Sequence, residues 1–175
     1  MPTAVAIQER ILRQIRTDVA AITGIGDVVR FAASGKWWSG SAWIENLEDG
    51  DALVVFQGEQ ELEQSIGDDT APVLLQMDVA VAVLIGKAET ATTYTDSVAR
   101  NWNALVRQKL MTNPRIVETA TSVRLAVDSR IVNVPDLTTA EGQKETSSFT
   151  FLEVDYRIER NNPFRLGSAI AQVEE

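Results

Sequence analysis

The chain contains no cysteine and no histidine. The first absence removes disulfides, thiol nucleophiles and zinc sites of the usual Cys/His kind; the second removes every triad that takes imidazole as its base. Lack of cysteine also fits a reducing compartment, or a particle assembled in one. No run approaches the roughly 18 apolar residues that a membrane span needs, so no membrane partner is expected. The start, Met1-Pro2-Thr3-Ala4, has no basic segment leading into an apolar one, so no signal peptide is expected. Basic residues are few: 16 Lys and Arg stand against 25 Asp and Glu, a net charge of -9. Such a balance favours solubility and repels phosphate, which argues against general nucleic-acid binding.

Apolar residues make up 45% of the 175 positions, enough for a sizeable core in one domain. Residues 5–22 read as a helix, with Ile7, Ile11, Ile15, Val19 and Ile22 forming a stripe at three- and four-residue steps. Arg10, Arg13 and Arg16 project from its other side, as a solvated face or as a row that meets an acidic partner. Gly24 is placed to cap the helix end. The glycines at 24 and 26 do not make a dinucleotide loop, because Val29 occupies the third glycine position and a helix precedes them. Gly35-Lys36 fails as a phosphate loop, since Arg30 replaces the first glycine.

Three of the four tryptophans, Trp37, Trp38 and Trp43, fall within seven positions. They read as core residues or as interface anchors. Residues 45–69 then hold nine acids, Glu45, Glu48, Asp49, Asp51, Glu59, Glu61, Glu63, Asp68 and Asp69, with no Lys or Arg. The calcium-loop pattern is absent, and residues 48–51 read as a turn. A short strand is expected at 52–56 and a polar loop after it. Neither a catalytic constellation nor a metal or cofactor site emerges, so no enzyme is expected.

Residues 73–85 alternate Val73, Leu75, Met77, Val79, Val81, Val83 and Ile85, a strand with one face on a core. Thirteen residues would span roughly 43 Å, so a bend or an end reaching past the domain is expected. Ala80 and Ala82 form a small outward pair, which would let another surface pack closely. A helix is expected from Thr95 or Asp96 to about Met111, burying Val98, Trp102, Leu105 and Val106 and turning Arg100, Asn103 and Arg107 outward. Asn113-Pro114 ends it. Strands follow at 121–127, 131–134 and 149–158, with a tail beyond. Helix, strands, helix, strands describe an α+β fold: a mixed or antiparallel sheet with two main helices on one face. The expected division is a single domain over 1–164 and a C-terminal tail over 165–175.

IQERILRQIR at 7–16, VAVAV at 79–83, ARNWNALVRQKL at 99–110 and FLEVDYRI at 151–158 with RNNP at 160–163 carry a resemblance. Taken in that order, they resemble the tail terminator (tail completion) proteins of long-tailed bacteriophages, the lambda-type minor tail protein family. The tryptophan cluster and the acidic segment have no place in that pattern. The resemblance implies a virion tail protein, assembled in the host cytoplasm as a homo-oligomeric, hexameric ring. Such a ring caps the tail tube protein, ends tube polymerisation and joins head-completion or neck proteins, while genomic DNA passes through its channel without specific binding. The nine acids are then candidates to face the lumen or tube end. Arg10, Arg13, Arg16, Trp37, Trp38, Trp43, Ala80 and Ala82 are candidates for the subunit interface. A neck connector subunit, a small carboxylate enzyme and a monomeric acidic binding module are the competing readings.

Overall fold

In the computed structural model, which describes residues 4–32, 48, 50–62, 72–85, 95–132 and 146–167, the isoleucine stripe organises the first element. Helix α1 (Ile7–Ala20) buries Ile7, Ile11, Ile15 and Val19 completely or nearly so, as their helical spacing dictates. Gln14 is buried beside them and fully engaged. Its amide donates to Asp18 and to the Thr119 hydroxyl, and its carbonyl accepts the Thr119 N–H at 2.9 Å, so this polar group carries little desolvation cost. Past the helix, Gly24 takes φ +88°, a left-handed conformation open to glycine at no steric cost.

Strands β1 (Val28–Ala32), β2 (Ala52–Glu61) and β3 (Pro72–Ile85) follow. Helix α2 (Thr95–Met111) comes next, then β4 (Asp128–Val132), β5 (Thr146–Glu159) and β6 (Asn162–Leu166). They build one mixed sheet in the order β1-β2-β3-β5-β4, with β6 hydrogen-bonded to β5. β1 and β2 are parallel and the remaining pairs antiparallel. The fold is α+β. Apolar residues of both helices join Val73, Met77, Val79, Val81 and Val83 of β3 and Leu152, Val154 and Tyr156 of β5 in one core. Both helices therefore lie on the same face of the sheet.

Several expectations are corrected. β3 neither bends away nor overreaches, because β5 is equally long and pairs with it from Pro72↔Glu159 to Ile85↔Thr146. β2 runs five residues past Phe56, through a bulge between Phe56 and Gly58 that shifts the register by one. The expected strand at 121–127 is reduced to one bridge, Val117↔Arg124, with Ile116 and Ser122 at positive φ. The next strand begins at Asp128. Beyond Asn161 the chain doubles back as β6 instead of leaving the sheet.

In α2 the buried line runs through Ala99, Val106 and Leu110, with Trp102 packed against the core and Leu105 41% exposed. Asn103 turns inward, donating to the Phe149 carbonyl at 2.6 Å and the Thr150 hydroxyl at 3.0 Å. Ser148 Oγ donates to the Ala99 carbonyl nearby. The helix thus meets β5 through a polar seam, and the stripe rotates toward its small and hydrogen-bonding residues.

Candidate functional site

Of the nine acids in 45–69, Glu45, Asp49, Glu63, Asp68 and Asp69 lie outside the described residues. The other four do different work. Asp51 is buried, and its carboxylate accepts the Asp27 N–H at 2.7 Å and the Glu48 N–H at 2.8 Å. It fastens the turn before β2 to the end of the α1–β1 connection. Gly26 borders it so closely that a Cβ there would collide with the carboxylate. Glu59 accepts from the Tyr156 hydroxyl and, at 2.9 Å, from the Gln8 amide. Burial, and then that carboxylate, push the Tyr156 phenol well above its ordinary value. Glu61 lies 3.6 Å from Arg160. Glu48 is exposed.

The interface candidates also divide. Trp37, Trp38 and Trp43 lie outside the described residues. Arg10 is turned against its own chain, with Nε and Nη2 on the two oxygens of Glu118 at 3.0 and 2.6 Å. Arg16 donates to the Val28 carbonyl. Arg13, 62% exposed, pairs with Glu9 one helical turn away at 2.9 Å. Ala80 and Ala82 are fully buried in the single chain, in a cluster with Leu53 and Val55 against which Phe149 and Phe151 pack. They are core residues and offer no surface for close packing.

The Arg10 fork, helped by the Thr121 hydroxyl, holds Glu118 at about 2, below its ordinary 4.5. A depressed folded-state pKa adds stability that is complete above about pH 4.5 and drains away as pH falls toward 2. Partial exposure screens the pair, so its contribution is about 1–2 kcal/mol. Glu118→Gln should flatten the fall in melting temperature between those two pH values relative to the parent. Equal slopes in the two proteins would refute this role.

The sheet face opposite the helices carries a feature not anticipated from the sequence. Its apolar end holds Leu53, Val55, Ala80 and Ala82, with the Phe149 and Phe151 rings stacked at 6.3 Å. Its other end is polar and bonded across four strands. Gln60 donates to Gln76, Gln76 to Asp155 at 3.0 Å, and Arg130 to the other oxygen of Asp155 at 3.0 Å while pairing with Glu153. Between the two ends Asp78 faces Glu153 across the β3–β5 ladder. With Gln57, Val132 and Phe151 they line an open cleft of about 380 Å³. Desolvation, and then the Glu153 charge, raise the Asp78 pKa, with Arg130 opposing them.

The alternation in β3 and β5 contained this carboxylate pair, but only their register could bring Asp78 and Glu153 together. The cleft holds no nucleophile–base pair, and among the described residues no group of three or more acids is placed to hold a metal ion. Chemically it is suited to receiving a cation with an apolar stem. Among the described residues no helix is long and apolar enough to cross a membrane. Comparison with protein-family models and with curated proteins yields no match.

Proposed function

We propose that this chain is a structural subunit of a phage tail, forming a hexameric ring that caps the tail tube and presents its other side to the head-completion or neck proteins. The observation that supports this reading is the convergence of the resembling segments. Residues 7–16 lie in α1, 79–83 in β3, 99–110 in α2 and 151–158 in β5, and all four elements meet in one core. The helices occupy one face, leaving edges and an opposite face with which a ring subunit meets its neighbours through heterologous contacts. Within the described residues Asp51 is buried, whereas Glu48, Glu59 and Glu61 are exposed and stay candidates for the lumen role.

Native mass spectrometry tests the proposal. Six chains of 19.2 kDa should appear together as a particle of about 115 kDa, and electron microscopy should show it seated on the tube end. A chain that stays monomeric, both alone and with tail tubes, would overturn the assignment. Seating on the head-side connectors in place of the tube would make it a neck subunit.

A further inference from the structure

Because both helices lie on one side of the sheet, the protomer has a helix side and a sheet side, and these differ in charge. On α2, Arg100, Ala104, Arg107 and Met111 recur at steps of four, three and four, and all four are exposed. No acidic residue occurs from Ser97 to Met111. In a chain of net charge -9 this stripe is a local inversion of sign. On the sheet side, Asp78, Glu153 and Asp155 outnumber Arg130, which pairs with the last two, and the cleft that Asp78 and Glu153 border has mostly apolar walls.

We propose, resting on the ring reading above, that the Arg107 stripe of one protomer docks into the Asp78–Glu153 cleft of the next copy. A ring requires two different complementary surfaces on each subunit, facing in different directions. These two surfaces meet both requirements. Arg107 brings a guanidinium to Asp78, which the ladder holds beside the Glu153 carboxylate that Arg130 already pairs, and its stem lies against Val132 and Phe151. Ala104 keeps the helix surface low enough for the approach. The arriving cation adds to Arg130 in offsetting the mutual repulsion of the two acids, and that added stabilisation exists only in the assembled state. Charge complementarity of this kind sets register and excludes wrong partners.

The test uses the full chain in four forms: parent, Asp78→Lys, Arg107→Glu, and the double variant. Both positions are exposed, so circular dichroism should be unchanged, as should the melting temperature measured below the ring-forming concentration. Each single reversal should raise the concentration needed for ring formation by about tenfold or more, and the double variant should recover most of that loss. Rising salt should weaken the parent ring and leave the single variants less affected. Rings that form in both single variants at the parent's concentration would overturn this contact and leave the ring reading intact. Losses in both singles that the double variant does not recover would overturn the pairing of these two surfaces. A parent that is monomeric at every concentration, with and without tubes, would overturn the ring reading and this contact with it.

Discussion

Asp51→Ala is expected to destabilise the fold by about 2–4 kcal/mol. The charge itself is one among many in an acidic segment; the cost comes from what the carboxylate holds. Both of its oxygens accept backbone N–H groups, from Asp27 and from Glu48, and the side chain is buried. Alanine would leave two donors without their partner and a small void at the turn. The backbone there is tightly drawn, with the Ala52 N–H on the Asp27 carbonyl and the Leu84 N–H on the Asp51 carbonyl, each at 2.9 Å. Loosening the turn therefore loosens the start of β2 against both neighbours. Asp51→Asn, which keeps one oxygen, should recover part of the loss. Glu48→Ala, at an exposed position, should stay within about 0.5 kcal/mol of the parent. Urea unfolding measures all three. An Asp51→Ala midpoint equal to that of Glu48→Ala would refute the fastening role. Where Asp51→Ala does lower the midpoint, a defect in assembly in that variant reports a damaged turn and not a lost surface charge.

Ile11→Ala should cost about 3–4 kcal/mol. Ile11 is 0% exposed at the middle of the α1 stripe, between Ile7 and Ile15, which are buried to the same degree. Truncation removes buried methyl and methylene groups, and a stripe anchored on both sides cannot collapse into the space. In a chain of this size the melting temperature should drop by roughly 10 °C. Leu105→Ala provides the contrast. Its side chain is 41% exposed on α2, and its loss should be under about 1 kcal/mol. The urea slope should be unchanged in both variants, which marks lost stability and not an altered unfolded state. If the two substitutions cost the same, the assignment of α1 to the core would be wrong.

What the sequence made legible depended on the length of each pattern. The α1 stripe and the β3 alternation persist long enough that a single period explains them, and both were placed to within two residues. β2 was half legible. Its apolar residues end at Phe56, and past the bulge at Gln57 the strand is kept by pairing with β3 and not by any pattern of its own. Asn103 misled for a related reason. Asparagine on a helix ordinarily faces water, and only the Phe149 carbonyl and the Thr150 hydroxyl on a distant strand make an inward position favourable. Ala80 and Ala82 suggest a surface because small residues leave room for a visitor, whereas they sit in a second cluster on the far side of the sheet. The candidate cleft was not legible at all, since register between strands is a tertiary property.

The β3–β5 ladder sets the order in which the chain must fold. Gln76 and Asp155, bonded across it, are 79 positions apart, so the central pairing of the sheet closes only after α2 and β4 have been made. Closing so wide a loop is entropically costly and slow, and the contacts that repay it arrive together. During synthesis β3 waits with one long apolar edge unpaired, a period in which it is open to misassociation. Once closed, the same two strands should be the last to exchange their amide protons, so the latest contact to form also becomes the most durable part of the subunit.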